Sequence, residues 1–242
     1  MKIAIDIGNT SITCGLFKKG NLIQKLNTNS KEELKDYLKT VTTKNIKKII
    51  ICSVVPKLGK YFENYFNKTY KCEIDFIDYT NSQLALNVDK PETVGNDRLC
   101  NIFATIKLYH TPSIIVDFGT ATTYDVINSN NEFIGGAIGA GVETSANYLI
   151  KKAALLSKTD LQFPKNVIAK NTKENIQSGI MYGALDQVEG MISRIKKENN
   201  LNYTILLTGG FSTLLSPYLS INHILDIDLT LKGIVLIDAI NN

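Results

Sequence analysis

The sequence predicts an α/β fold made of two related halves, in each of which helices flank a mixed β-sheet. First, two apolar runs end in an aspartate that a glycine and hydroxyl residues follow, at residues 3–11 and 114–123. Second, short β-branched runs alternate with amphipathic segments of helical length, as in α/β proteins. Third, the chain has 242 residues, 44% of them hydrophobic, which suffices for one large or two medium cores.

The two apolar runs belong to a longer repeat. At a constant offset of 111 residues, Asp6 falls on Asp117 and the segment 14–17 falls on 125–128. The residue pattern of each half therefore predicts a strand, a loop, a second strand, a polar turn and a third strand. Any α/β protein can contain one apolar strand that ends in such a turn. Two copies in register, each with its hairpin, favour an internal duplication.

The other elements are predicted in chain order. Residues 31–38 have a helical pattern, and the continuous apolar run 48–55 predicts a buried strand that Pro56 ends. Further helices are predicted at residues 57–66, 97–109, 142–156 and 172–197, after Gly210 and at 233–240, with strands ending near 138 and at 203–207. Because the second aspartate strand begins just after Thr111 and Pro112, we place the domains at residues 1–112 and 113–242.

The composition argues against several classes of protein. The net charge of +4 comes from scattered lysines without interleaved aromatic residues, so no nucleic-acid partner is expected. The four cysteines have no paired ligand spacing, which is typical of reduced thiols in a cytoplasmic protein rather than of zinc sites or disulfides. No apolar run reaches membrane-spanning length, and only Met1 and Lys2 precede the first strand, so neither a membrane segment nor a signal peptide is expected.

The residues around the two aspartates suit magnesium and phosphate chemistry. A carboxylate at a strand end can hold Mg²⁺, glycine lets the backbone approach a ligand, and hydroxyls can donate to phosphate. The two copies predict two such loops facing one nucleotide. The alternative for Asp6 is a solvent-facing turn residue. The later segment Thr208-Gly209-Gly210 can lie against adenine or ribose, although a strand-to-helix turn without a ligand would look the same.

Residues 94–98, Val-Gly-Asn-Asp-Arg, are the candidate for the chemical step. Phosphoryl transfer to an alcohol needs a group that accepts the hydroxyl proton, and Asp97 has that chemistry. Arg98 offers a planar guanidinium to a carboxylate or a phosphate. From the residues alone, a second interpretation is equally supported, in which Asp97 merely caps the helix 97–109.

Several segments, taken in order, carry a resemblance to a known family: residues 6–17, 94–98, 117–123 and 207–210, with 170–172 and 229–233 beside them. The chain resembles the type III pantothenate kinases, which belong to the superfamily of acetate and sugar kinases, heat-shock chaperones and actin. The resemblance spans nearly the whole chain. It implies duplicated actin-like (ribonuclease H-like) domains with the ATP cleft between them. The implied activity is ATP-dependent phosphorylation of pantothenate to 4'-phosphopantothenate, the first step of coenzyme A biosynthesis.

The resemblance also implies roles for individual residues. Asp97 is the catalytic base, Asp117 lies near a monovalent cation (K⁺ or NH₄⁺), and Asp6 takes part indirectly in binding Mg²⁺. The residues implied to bind ATP are Asp6, Ile7, Gly8, Asn9, Thr10, Ser11, Ile12, Thr13, Thr120, Gly209 and Gly210. Those implied to bind pantothenate are Gly95, Asn96, Asp97, Arg98, Thr172 and Val88.

Two positions depart from the family pattern: Val88 stands where a tyrosine is usual, and Ala140 stands where a proline is usual. In the family, the threonine that matches Thr172 helps to bind pantothenate across a dimer interface, so the resemblance implies a homodimer. The alternative is that Thr172 simply caps its helix. The apolar stripe of the helix 172–197 can pack against a partner copy or against its own core.

Two alternatives to the function stay open: another small-molecule kinase of the same superfamily, acting on a sugar or polyphosphate, and a non-catalytic regulatory relative.

Overall fold

The computed structural model describes residues 1–41, 46–153 and 159–241. Its contacts divide the chain into two compact units, Met1–Tyr109 with Asp228–Asn242, and His110–Ile227. In chain order the elements are β1 (Lys2–Ile7), β2 (Ile12–Lys18), β3 (Asn21–Thr28), α1 (Lys31–Thr40), β4 (Lys48–Ser53), α2 (Pro56–Thr69), β5 (Glu73–Phe76), β6 (Ala85–Leu86), α3 (Asn96–Leu108), β7 (Ser113–Phe118), β8 (Ala121–Ile127), β9 (Glu132–Ala140), α4 (Val142–Lys152), α5 (Thr172–Asn199), β10 (Thr204–Thr208), α6 (Ser212–Leu215), β11 (Ile224–Leu225) and α7 (Leu229–Ile240).

The first unit is built on a mixed sheet with the strand order β3-β2-β1-β4-β5. β1 pairs antiparallel with β2 and parallel with β4, and β4 pairs parallel with β5. Residues 49–52 of β4 are fully buried, as expected for a central strand that is covered on both faces. The carboxyl ends of β1 and β4 lie side by side, with Ile7 opposite Ser53. This is the sheet edge at which α/β proteins usually bind ligands.

The strand β4 ends earlier than the predicted run 48–55. The hydroxyl of Ser53 accepts a hydrogen bond from the Val55 N–H at 3.2 Å, which turns the backbone out of the sheet. α2 then begins at Pro56 itself and extends beyond the predicted segment 57–66 to Thr69. Proline suits this first helical position, because its φ is already helical and an N–H there would have no intrahelical acceptor.

The second unit repeats the arrangement of the first. Its strands run in the order β9-β8-β7-β10-β11. β7 pairs antiparallel with β8 and parallel with β10, as β1 pairs with β2 and β4. The strand order and the strand directions therefore confirm the duplication that the two aspartate motifs predict.

The offset between the two copies is not constant, which corrects the prediction. In the first hairpin Ile5 pairs with Cys14, whereas in the second the counterpart Val116 pairs with Tyr124. The loop between the strands is thus one residue shorter in the second copy, and the offset falls from 111 to 110 along the second strand. The turn that follows the second strand is one residue longer in the second copy, where Ile127 pairs with Phe133, than in the first, where Phe17 pairs with Leu22, so the offset is 111 again in the third strand.

The apolar stripe of α5 packs against the core of its own unit. Met181, Leu185, Val188 and Ile192 are buried in one cluster with residues of β7, β8 and β10. Of the two alternatives for this stripe, the structure therefore supports the chain's own core. In the helix before it, α4, the last described helical residue is Lys152, and residues 154–156 of the predicted segment 142–156 lie outside the described residues.

α7 belongs to the first unit, although it is the last helix of the chain described. Ile234 and Ile237 are fully buried in one cluster with Ala4 and Ile50. The helix begins at Leu229, earlier than the predicted 233. Because its apolar face is buried against β1 and β4, residues 228–242 group with the first unit and residues 110–227 form the second. The predicted division into residues 1–112 and 113–242 is corrected accordingly.

Candidate functional site

The first loop joins β1 to β2 at the carboxyl end of β1. Its glycine closes the loop, because the Gly8 N–H donates to the Ser11 carbonyl oxygen at 3.0 Å and is engaged within the loop. Asn9, Thr10 and Ser11 are exposed at the tip. The loop therefore presents amide and hydroxyl side chains in a row, a set of groups that can donate to phosphate oxygens.

Asp6 precedes this loop and is half-buried. In the sheet register it lies opposite Thr13 on β2 and Cys52 on β4, so the three side chains share one face of the sheet. The neighbouring side chains of Ile7 and Ile12 are only 0% and 3% exposed and lie in the core. Of the residues predicted to bind ATP, these two can thus offer only backbone groups.

A hydrogen bond joins the start of α3 to the end of β4. Asn96 Nδ2 donates to the Ser53 carbonyl oxygen at 3.1 Å, and the carboxylate of Asp97 accepts the Arg98 N–H at 2.7 Å. Gly95 occupies the N-cap position, and a Cβ there would lie 2.7 Å from Asp97 Oδ1. The cap residue is thus Gly95, which corrects the interpretation of Asp97 as the cap. Asp97 lies in the first turn, where the helix dipole favours a carboxylate.

Asp6 and Asp97 lie on elements that meet at one pair of buried thiols. Burial raises the pKa of Asp97 above its ordinary value, and the hydrogen bond and charge of Arg98 oppose that effect. The buried thiols of Cys52 and Cys100 hydrogen-bond to each other, and that bond, together with burial and the charges of Asp6 and Asp97, raises the pKa of Cys52. Cys52 is the partner of Asp6 in the register of β1 and β4, and Cys100 lies one turn after Asp97 on α3, so the thiol pair connects the strand that carries Asp6 with the helix that carries Asp97.

α7 supports the helix that carries Asp97. The buried amide of Asn101 accepts a hydrogen bond from the Thr230 hydroxyl at 2.8 Å. At Gly233 the backbone of α7 lies so close to α3 that an added Cβ would be 2.0 Å from the Cys100 carbonyl oxygen. Sequence reasoning missed this support. The available signal was Asn101, a polar residue within an otherwise apolar stretch of the helix.

In the second unit, Asp117 occupies the equivalent place near the end of β7. The Gly119 N–H closes the second loop onto the Ala121 carbonyl oxygen at 3.1 Å. Gly209, just after β10, has a φ of +88°, and a Cβ there would lie 2.3 Å from Asp117 Oδ1. Only glycine allows this turn and the carboxylate to approach so closely. The structure thus brings Asp117 and Gly209 together.

Thr120 is exposed at the tip of the second loop. Its carbonyl oxygen accepts hydrogen bonds from the Gly141 N–H at 3.1 Å and from the Thr144 hydroxyl at 2.6 Å. A Cβ at Gly141 would lie 2.3 Å from the Gly119 carbonyl oxygen. The turn after Ala140 is therefore held to the second loop by hydrogen bonds and by a close backbone contact. Sequence reasoning did not single out Gly141 or Thr144.

The remaining predicted residues lie at different places in the two units. Gly210 is exposed in the turn that leads into α6. Val88 is half-buried in the irregular segment that precedes α3. Thr172 is exposed as the first residue of α5, and the cap of that helix is Asn171, whose side chain accepts the Glu174 N–H at 2.9 Å. Thr172 is therefore not the capping residue.

The oxygen donors at Asp6 and Asp117 suit the cations that the resemblance implies. Within residues 1–41, 46–153 and 159–241, no group of three or more His, Cys, Asp or Glu side chains is arranged to hold a metal. Mg²⁺ does not need such a cage, since it keeps several waters and is bound by one or two carboxylates and substrate phosphates. The carboxylate of Asp6, with Thr13 on the same face, fits that mode. Asp117 likewise offers carboxylate oxygens at a partly exposed position.

Comparison with known proteins identifies the family. Residues 2–194 match the family model described as type III pantothenate kinase. The chain belongs to the type III pantothenate kinase family. Members from Sulfurihydrogenibium sp. (strain YO3AOP1) and Persephonella marina are 37% and 36% identical to it. These alignments cover 98% and 97% of this chain and 99% and 96% of the relatives.

Solved structures show that this family member has an actin-like fold. A conserved Campylobacter jejuni protein named for the Baf family has a TM-score of 0.64 at 21% identity, over 99% of this chain and 98% of the other. The activator of 2-hydroxyisocaproyl-CoA dehydratase from Clostridium difficile has a TM-score of 0.55 at 11% identity, over 99% and 95%. The Lmo2764 protein of Listeria monocytogenes has a TM-score of 0.53 at 11% identity, over 100% and 99%. In the described part of this chain, no helix is long and apolar enough to cross a membrane.

Proposed function

We propose that this protein uses ATP to phosphorylate pantothenate to 4'-phosphopantothenate, the first step of coenzyme A biosynthesis. The observation that carries the proposal is the family match over residues 2–194, which contains the half-buried Asp97 at the start of α3. The relatives bear the name of this kinase over nearly their whole length. The closed first loop beside Asp6 and the second loop beside Asp117 support the assignment of ATP as phosphate donor.

Asp97 is the proposed general base. It accepts the proton of the pantothenate hydroxyl as the oxygen attacks the γ-phosphorus, and the bond from that phosphorus to the β–γ bridging oxygen breaks. A raised pKa makes a carboxylate a stronger base, provided that it is still ionised at the working pH. Burial supplies such a rise at Asp97. Arg98 is adjacent, and its guanidinium can bind the carboxylate of pantothenate. Gly95, Asn96 and Val88 complete the proposed acceptor side, with Asn96 acting mainly by holding the turn to Ser53.

The two loops are the proposed ATP-binding elements. In the first, residues 8–11 and the face shared by Asp6 and Thr13 hold phosphates and, through water, Mg²⁺. In the second, Thr120, Gly209 and Gly210 contact the nucleotide, and Asp117 binds the monovalent cation, K⁺ or NH₄⁺. Bound Mg²⁺ supplies positive charge that neutralises the phosphate oxygens. The residues of the chain then have to orient the triphosphate and keep the carboxylates in place.

A homodimer is proposed as the working form, with Thr172 contributing to pantothenate binding across the interface. Large apolar side chains on the surface of the second unit support association: Ile138, Tyr148 and Ile168 are 65%, 63% and 86% exposed. Sedimentation of the purified protein tests the oligomeric state. A chain that stays monomeric while fully active would contradict this part of the proposal.

The decisive experiment is a product assay with Asp97→Asn. The purified wild type is incubated with ATP, Mg²⁺, K⁺ and pantothenate, and phosphopantothenate is measured by mass spectrometry, with sugars as alternative acceptors. We expect the substitution to lower kcat by about 10²- to 10⁴-fold, because that is the usual contribution of a positioned base, and to leave ATP binding intact. Asp36→Asn is the matched control, since that carboxylate is 73% exposed and forms only a surface pair with Lys39.

Each outcome decides between the alternatives. Phosphorylation of a sugar in place of pantothenate would identify another kinase of the superfamily. ATP binding without product from any acceptor would indicate a regulatory relative. Full activity of Asp97→Asn would exclude Asp97 as the base while leaving the kinase activity itself in place.

A further inference from the structure

A cavity lies in the first unit, at the opposite end of β1 from Asp6. It has a volume of about 690 Å³, which is within the range of about 300–1,000 Å³ that is usual for small-molecule sites. Its lining includes Lys2 of β1, the turn between β2 and β3, and the α7 residues Val235 and Ala239. Asp6 lies four positions after Lys2 in the extended strand, a distance of about 13 Å. The cavity is therefore distinct from the proposed catalytic site.

The floor of this cavity is apolar. Phe17 is 3% exposed and Val235 is 9% exposed, and both belong to one hydrophobic cluster. Ala239 lies one helical turn beyond Val235 and is exposed. A ligand with an alkyl chain or a ring can therefore cover apolar surface here that water otherwise contacts, and the hydrophobic effect favours that exchange.

The rim of the cavity is positively charged. Lys18, Lys19 and Lys47 line it and are exposed, and the lining residues include no Asp or Glu. Within the described chain, none of these three lysines forms a salt bridge. Lys2 differs, because its Nζ lies 2.5 Å from Asp238 Oδ2 and its charge is compensated. Three uncompensated positive charges around an apolar floor favour a ligand that carries negative charge at one end.

We propose that this cavity binds an amphipathic anion, that is, a carboxylate or phosphate attached to an alkyl chain or a ring. The apolar part of the ligand lies against Phe17 and Val235, and its anionic group lies among Lys18, Lys19 and Lys47. The site is separate from the proposed ATP and pantothenate sites, because about 13 Å of β1 lies between Lys2 and Asp6.

Isothermal titration calorimetry of the full chain tests the proposal with four probes: octyl phosphate, octanoate, octyl glucoside and inorganic phosphate. We expect saturable binding of octyl phosphate with a Kd of about 1 mM or lower. Octanoate should bind if a carboxylate suffices, whereas a phosphate requirement would leave only octyl phosphate bound. Octyl glucoside has the chain without the charge, and inorganic phosphate has the charge without the chain, so both should bind at least several-fold more weakly.

Variants locate the binding. Lys18→Gln with Lys19→Gln should weaken octyl phosphate binding by about 2- to 30-fold, the effect expected for two solvent-exposed charge pairs. Ala239→Glu should weaken it further by adding a negative charge to the lining. The matched control is Lys68→Gln with Lys71→Gln, which removes the same charge from exposed positions outside the cavity.

Three results would overturn the proposal: no binding of either anion, equal binding of octyl glucoside or inorganic phosphate, or equal weakening in the control variant. The kinase assay of the Lys18 and Lys19 variant separates this test from the proposed function. Basal activity should stay unchanged there, since neither lysine belongs to the proposed catalytic machinery.

Discussion

Gly233 is the position at which a single methyl group should disturb both stability and catalysis. A Cβ at this residue of α7 would lie 2.0 Å from the carbonyl oxygen and 2.5 Å from the carbonyl carbon of Cys100, both of which are backbone atoms that no rotamer change can move. Ordinary van der Waals contact begins near 3.4 Å, so Gly233→Ala must separate α7 from α3 locally by about 1 Å or more. Overpacking of this kind usually costs about 1–3 kcal/mol of unfolding free energy.

The same displacement reaches the proposed base. Cys100 lies one turn of α3 after Asp97, so a shift of α3 moves the carboxylate relative to Asp6. A misplacement of about 1 Å can lower a rate by about 10²-fold. We therefore expect Gly233→Ala to lower kcat by up to about 10²-fold at temperatures at which circular dichroism shows the protein folded. Urea unfolding and a coupled ADP-release assay measure the two effects.

Gly190→Ala on α5 is the matched control, because a Cβ there has no described atom within 4 Å. It should leave kcat unchanged and stabilise the protein by up to about 1 kcal/mol through better helix propensity. If Gly233→Ala keeps wild-type stability and wild-type kcat, the inferred close packing of α7 on α3 does not govern either property.

Further predictions concern other groups. Because burial raises the pKa of Asp97, its carboxyl should titrate above 3.8, and activity should rise with pH through that higher value; a carbon-13 carboxyl titration that places it at or below 3.8 would contradict this. Gly209→Ala combines a φ of +88° with a Cβ 2.3 Å from Asp117 Oδ1, so it should weaken nucleotide or monovalent-cation binding by at least about 10-fold in calorimetry, and unchanged affinities would refute the contact. Asp238→Asn should cost about 2–3 kcal/mol in urea unfolding, since the buried Lys48 Nζ lies 2.8 Å from Asp238 Oδ1. Burial opposes ionisation of Asp238, but its lysine partners lower its pKa below 3.8, so the wild type should lose this advantage over the variant as the pH falls from 3.8 through that lowered pKa; equal stability of the wild type and the variant at pH 7 would refute the ion pair.

The sequence was sufficient to predict the strand arrangement that the two units share. Strand, loop and hairpin follow from local patterns, so the strand order around Asp6 and Asp117 agreed with the expected duplication. The constant offset was wrong, because the loop before the second strand is one residue shorter in the second copy and the turn after that strand is one residue longer, and the two differences cancel in the spacing of the flanking strands. The cap of α5 is similar: Asn171 and Thr172 are both good caps, and only the backbone geometry distinguishes them.

The residues that hold the candidate site in place were harder to predict from the sequence than the residues of the site itself. Asp6, Asp97 and Gly209 occur in motifs whose chemistry is evident from residue type. Asn101 and Gly233 act through a helix that is distant in the sequence, and a glycine chosen for close packing looks like any other glycine until its neighbour is known. Chain order likewise assigned α7 to the second domain, since only its burial against Ala4 and Ile50 shows that it completes the first.

The return of α7 to the first unit has a consequence for synthesis on the ribosome. Residues 110–227 form a compact unit that is continuous in sequence and can fold once it has emerged. The first unit cannot bury Ala4, Ile50 and Cys100 until α7 has also been made, so its core stays incomplete throughout elongation. The half that is translated first should therefore be the last to reach its native state, and a nascent chain arrested before residue 229 should expose the surface that α7 later covers.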